Sequence, residues 1–304
     1  MSILQDIKDS FRQQNNTLKQ LILINVIVFV TLIVLRTVLY LTSSSWAYTG
    51  LMRFIALPSD PLVFITRPWT IISYFFTHEG FLHIIFNMLN LYWFGQLIRE
   101  YLGEKKLLSL YILGGIAGGL LYMLSYNLIP YFADRAAYAV MIGASASVLA
   151  VVVASATLIP NYTFNLILIG PVRIKYIAAF LVILSISGAV GDNAGGNIAH
   201  LGGALFGWLF VKQLQRGRDM GRPLHSTMDF FTNLFKRRPK LKVTHRQKAT
   251  VGNDARPSSG YHTGYAGKPS QMEIDLILDK ISVSGYESLS KEEKQKLFQA
   301  SQKD

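Results

Sequence analysis

The sequence predicts an all-α polytopic membrane protein, on three observations. Of its 304 residues, 51% are hydrophobic and only 16% are charged, against roughly a quarter charged in ordinary soluble domains. The mean hydropathy is +0.31. Six apolar segments recur along the first two thirds of the chain, several long enough to cross a bilayer.

The first segment, near 20–41, reads "QLILINVIVFVTLIVLRTVLYL". The second lies near 82–100. The third, near 107–127, carries "GGIAGG", and the fourth, near 145–159, is "SASVLAVVVASATLI". The fifth and sixth lie near 174–190 and 197–214. The fourth is short. From Ser145 to Pro160 a helix rises only about 22 Å, less than the roughly 30 Å hydrocarbon core. Its outer end, "GASAS", is therefore expected below the membrane surface, where non-helical backbone requires a wet cavity or a protein wall.

Charge sets the orientation. Lys8, Arg12 and Lys19 precede the first segment, and Arg99, Lys105 and Lys106 sit between the second and third. Arg173 and Lys175 lie between the fourth and fifth, and Lys212, Arg216, Arg218 and Arg222 follow the sixth. The opposite loops hold Arg53, Arg67 and Arg135. An even number of spans with both termini cytoplasmic satisfies the positive-inside rule. The net charge of +12 is explained by this flanking and by the tail, so no nucleic-acid partner is expected. There is no cysteine, which excludes disulfides and thiol chemistry. The N-terminus is too polar for an ordinary signal peptide.

Residues 42–81 form a long first outer loop rich in aromatic and apolar residues, expected to lie partly in the bilayer interface with Trp46 and Trp69 as belt residues. Three domains follow from this layout: a polar segment 1–17, a membrane domain 18–215, and a basic, partly disordered cytoplasmic tail 216–304. In the tail, "STMDFFTNLFKRR" reads as a short interfacial helix and the C-terminal stretch from "QMEID" onward as two helices. Ser290 and Glu293 form a capping-box pattern for the second.

The stretch "FFTHEGFLHIIFN" nearly spells the zinc-protease motif H-E-x-x-H. That motif needs histidines at i and i+4. His78 and His83 are five apart, roughly 140° around a continuous helix, so no metal site is expected. His83 and Asn87 do share a face, as a pair of hydrogen-bond donors.

Ionisable residues inside spans are functional candidates. His200, in the sixth segment, has Gly203 on its own face, where a small residue admits a neighbouring backbone. Ser145 opens the fourth segment. Packing alone accounts for a serine among Gly and Ala, and interhelical bonding for a lone histidine. Yet both are expected towards the outer side at similar depth, where His200 is the available base. A Ser145/His200 dyad is expected, since no carboxylate is embedded nearby. The oxyanion formed on acyl attack needs preorganised donors. The Ser145 N–H at a helix start, His83 and Asn87 are the candidates.

These stretches resemble the rhomboid intramembrane serine proteases. The matching ones are "HEGFLHIIFNMLNLYWFG" from His78, "GASA" from Gly143 to Ala146, and "NIAHLGGALFG" from Asn197 to Gly207. The resemblance covers roughly residues 15–215 and implies a six-transmembrane-helix bundle of the bacterial type with a half-submerged first loop. It implies a serine endopeptidase without metal or cofactor, sited in a bacterial inner membrane. Its partners would be lipid and transmembrane protein substrates, cut in or beside their spans and admitted beside the fifth helix. It makes His78, Gly143, Asn197 and Gly203 supporting residues. Two departures stand out. Ala146 replaces the family's usual glycine after the serine, and the usual Trp-Arg pair is Trp69-Thr70 here, so the arginine's anchoring role is either lost or moved to Arg67. The alternative reading is a catalytically inactive rhomboid-like binding or chaperone protein. A proton-relaying transporter is disfavoured by the lack of an embedded acid.

Overall fold

The computed structural model describes residues 16–166, 169–235 and 271–301, together with Gln5 and Ser10. A helix stands at each of the six apolar segments. Helix α1 is Thr17–Leu41. The first loop holds α2 (Ser45–Ile55), the short strand β1 (Leu57–Pro58), α3 (Pro61–Thr66) and α4 (Thr70–Ser73). Then come α5 (Phe81–Leu102) and α6 (Glu104–Leu128), strand β2 (Val140–Met141) and α7 (Ser145–Leu158). Strands β3 (Thr163–Leu166) and β4 (Gly170–Arg173) precede α8 (Ile174–Ser187) and α9 (Ala194–Gln215). By length and composition α1, α5 and α6 suffice to cross a membrane, while α7 and α8 are shorter apolar helices.

Helix α7 sits innermost, with ten of its residues buried. Small residues make this possible. Gly114 and Gly118 on α6 face the methyls of Ala150 and Ala146, and Gly203 and Gly207 on α9 face the backbone of the same two alanines. Backbones approach at these points because no Cβ intervenes. A Cβ on Gly203 would run into the Ala146 carbonyl. Backbone cannot give way as a flexible side chain can, so Gly203→Val is expected to destabilise by about 1–3 kcal/mol or more. Thermal melts in detergent check this against Gly50→Ala, whose Cβ would meet nothing within 4 Å.

The first loop is built, not slack. The last carbonyls of α2 lack helical partners and are capped by side chains. Arg67 donates to Arg53 O (3.0 Å), Trp69 Nε1 to Phe54 O (2.9 Å) and Ser73 Oγ to Ile55 O (2.7 Å). Arg67 thus anchors the loop despite the altered Trp69-Thr70 pair. Strand β1 pairs with β2, Leu57 opposite Met141, which ties this loop to the segment leading into Ser145. The loop exposes large apolar side chains, among them Trp46, Leu62 and Ile65.

The orientation rule yields an expected outcome here. Ser45→Cys in the first loop should react with an impermeant thiol reagent on intact cells, and Lys105→Cys should not. Both positions are exposed in the fold. The reverse pattern would overturn the topology.

The β3–β4 hairpin, with Thr163 opposite Arg173, has no counterpart in the sequence reading. Ile174 N–H bonds Tyr162 O (2.8 Å), closing its base.

The first compact unit runs from Met1 to Arg238. Helix α10 (Arg222–Phe235) covers the predicted interfacial helix as far as Phe235, the rest lying outside the described residues. Its His225 Nε2 lies 2.8 Å from Ser109 Oγ on α6, and Asp219 pairs with Lys106. Burial, then the charges of Lys106 and Lys105, lower the His225 pKa, with Asp219 acting the other way. The folded state therefore binds its proton less readily than the unfolded chain. This contribution to stability is present above the ordinary histidine pKa of about 6.5 and is lost as pH falls. Hydrogen exchange in α10 is expected to rise on acidification, and His225→Asn should flatten that response.

The second unit, Pro239–Asp304, contains α11 (Gln271–Ser284) and α12 (Lys291–Ser301). The capping box is formed: Glu293 accepts from Ser290 N–H (2.7 Å), and Ser290 Oγ accepts from Glu293 N–H (3.2 Å). The basic Gly/Pro/Ser-rich stretch expected to be disordered, and most of segment 1–17, lie outside the described residues.

Candidate active site

Ser145 is the first residue of α7, with Ala144 as its cap. The Val148 N–H to Ala144 O bond (2.9 Å) opens the helical ladder. The Ser145 N–H precedes that ladder and sits at the positive end of the helix. The turn before it is fixed twice. Gly143 N–H bonds Tyr74 O (2.9 Å), and Gly143 adopts φ +122°, a conformation that favours glycine. A Cβ there would also meet His83, at 2.8 Å from Cε1 and 3.2 Å from Nε2, with Ser145 Oγ at 3.7 Å from the same point. The His83 imidazole and the serine hydroxyl thus flank one spot above Gly143.

His83 and Asn87 come from the first turns of α5. Asn87 is buried, and its Nδ2 donates to His83 O (2.9 Å). His78 requires a correction. Helix α5 begins at Phe81, so His78 lies ahead of it and the continuous-helix angle does not apply. The chain is extended at Thr77 and Gly80 on either side. This brings the His78 and His83 rings to 5.2 Å, edge to face. His78 Nε2 accepts from Ala144 N–H (3.4 Å) and faces Asn87 Nδ2 (3.5 Å). Fully buried, His78 braces the serine turn and the asparagine together. The neighbouring Glu79 takes a hydrogen bond from Tyr48 (3.0 Å). Burial, with Glu79 beside it, pushes the Tyr48 phenol up to about 12. Among the described residues, no three His, Asp or Glu side chains gather into a metal-holding group.

His200 lies on α9, one turn before Gly203. Asn197 Nδ2 donates to Gly188 O (2.9 Å) just past the end of α8. His200 Nδ1 lies 3.1 Å from Ser185 Oγ, a partner that the sequence reading does not supply. Two serines, Ser185 and Ser187, in the apolar run "IAAFLVILSIS" are the available signal.

Ser145, His83, Asn87, Asn197 and His200 all line one cavity of about 370 Å³, with Phe86, Val148, Leu149, Leu181 and Leu184 among its apolar walls. Gly143 and His78 stand behind it, and Gly203 packs against Ala146. Ala146 is 1% exposed. Its methyl points at Gly118, where a Cβ would come within 2.5 Å. The extra methyl is therefore absorbed by α6 and stays out of the cavity. The arrangement supplies a hydroxyl, an imidazole and several N–H donors around one apolar space, the ingredients of acyl transfer.

Residues 66–216 match the Rhomboid domain family, and residues 268–303 match a family of unknown function, DUF6576. The chain is 31% identical over 176 residues to Rhomboid protein 1, mitochondrial, of Saccharomyces cerevisiae, covering 56% of this chain and 49% of that protein. It is 30% identical over 173 residues to Presenilin-associated rhomboid-like protein A, mitochondrial, of Danio rerio, covering 55% and 43%. It is 29% identical over 163 residues to RHOMBOID-like protein 12, mitochondrial, of Arabidopsis thaliana, covering 50% and 48%. The chain spans about half the length of these curated relatives.

Proposed function

The chain is a member of the rhomboid family through residues 66–216, and from that premise we propose that it is an intramembrane serine protease. It hydrolyses peptide bonds in or next to transmembrane segments of membrane-anchored substrates. The supporting observation is the shared cavity: Ser145, His200, His83 and Asn87 come from three helices and line one space with apolar walls.

In this reading Ser145 Oγ attacks the scissile carbonyl carbon while His200 takes its proton. The carbonyl oxygen becomes an oxyanion, held by the Ser145 N–H, Asn87 Nδ2 and the His83 ring. His200 then gives the proton to the leaving amine. Water enters the cavity, loses a proton to His200 and attacks the acyl carbon; the ester bond breaks, the acid product leaves, and His200 returns the proton to Ser145 Oγ. The six helices form six spans with both termini cytoplasmic. Placement in a bacterial inner membrane rests on the likeness of this layout to bacterial six-helix rhomboids, whereas the named relatives above are mitochondrial.

The test is comparative proteomics of shed ectodomains, wild type against Ser145→Ala. Fragments cut in or beside a span should vanish in the variant. Identical shed profiles, with a stable variant, would favour the inactive binding protein instead. Truncation after Arg238 is expected to leave cleavage of a detergent-solubilised substrate nearly unchanged, because the cavity is lined by residues before that point. A cut after Arg222 removes His225 from Ser109 and should lower thermal stability.

A further inference from the structure

Ser185 makes two contacts at once. Its Oγ donates to Leu181 O on its own helix (2.9 Å) and lies 3.1 Å from His200 Nδ1. A hydroxyl has one proton. With that proton on Leu181 O, Oγ faces the imidazole with a lone pair. Nδ1 must then carry the ring hydrogen, and Nε2 is left unprotonated, as a general base requires.

We infer that Ser185 is a positioning residue that holds His200 in its Nδ1–H tautomer. This rests on the reading of His200 as the base. Ser185 does with a neutral hydroxyl part of what a carboxylate does in a triad. Among the described residues, the cavity lining contains no Asp or Glu that would compete for Nδ1. Ser185 is 3% exposed and lines the cavity beside His200. A neutral acceptor stabilises an imidazolium less than a carboxylate does. Its effect therefore falls on tautomer and ring orientation.

The placement has a further consequence. Ser185 rides on α8, where only it, Ile174 and Ala178 are buried, while His200 rides on α9. Beyond Ser185, the Asn197 amide holds Gly188 O. Any displacement that parts the two helices removes the acceptor from Nδ1, so the position of α8 acts on the base.

The experiment uses the purified full chain with nitrogen-15-labelled histidine, the His200 signals being assigned by their loss in His200→Gln. In the wild type, His200 is expected as the Nδ1–H tautomer. In Ser185→Ala it should shift towards Nε2–H, with kcat about tenfold lower and KM within about twofold. Ser185→Thr should recover most of the rate, because threonine repeats both contacts. An Nε2–H tautomer in the wild type overturns the proposal without any variant. So does a Ser185→Ala protein with unchanged tautomer, whether its rate holds or falls. If His200→Ala itself keeps activity, the catalytic reading beneath the proposal is what fails.

Discussion

Ser145→Ala and His200→Ala are each expected to abolish cleavage of a transmembrane substrate by the purified protein. The double variant should be no slower than either single. A serine hydroxyl is a weak nucleophile until a base takes its proton, and a base without the hydroxyl has nothing to activate. The two act as a unit, so their losses do not add. The fold gives little reason for a structural effect. Ser145 begins α7 at a cavity wall, and removing its Oγ leaves Val148 N–H on Ala144 O and Gly143 N–H on Tyr74 O in place. Turnover is read with a defined single-span substrate in detergent, and circular dichroism and thermal melts check the fold. Retained wild-type turnover in Ser145→Ala would remove the nucleophile from the account.

The proposed oxyanion donors should give a smaller, graded loss. Asn87→Ala and His83→Ala each remove one donor while the Ser145 N–H remains. A drop of about 10–1000-fold in turnover is expected for each, roughly 1.5–4 kcal/mol of transition-state stabilisation. Covalent labelling at Ser145 should be reduced and still detectable. The geometry predicts an order. Asn87 also faces His78, which in turn receives Ala144 N–H. Its loss therefore loosens the serine turn as well as the hole. His83 contributes its ring over Gly143 and is exposed, so its truncation should disturb the fold less. Full turnover in both variants would show that the hole is made elsewhere.

Much of the helical architecture is legible in the sequence because hydrophobic runs are strong local signals. The short fourth segment is readable from Pro160, and α7 ends at Leu158. The small-residue face of the sixth segment is readable as packing, and Gly203 meets Ala146 accordingly. The β3–β4 hairpin is not legible, since "TFNL" and "GPVR" carry little alternation over such short lengths. A continuous helix carrying both His78 and His83 would run through Gly80, a residue that instead caps α5 in extended conformation. The His78 ring faces Ala144 and Asn87 through contacts 66 and 9 residues apart, and no periodicity encodes such contacts. Ser185 is hidden for the same reason, its partner being on another helix. The tolerance of Ala146 depends on Gly118, which belongs to a different helix and a different sequence motif. Only the three-dimensional packing links the two.

The most direct test of the central claim is reaction of the purified protein with a fluorophosphonate, the modified peptide being identified by mass spectrometry. A single adduct on Ser145 is expected, absent in Ser145→Ala, strongly slowed in His200→Ala, and indifferent to metal chelators. Absence of any adduct on folded wild-type protein, or activity abolished by a chelator and restored by zinc, would contradict it.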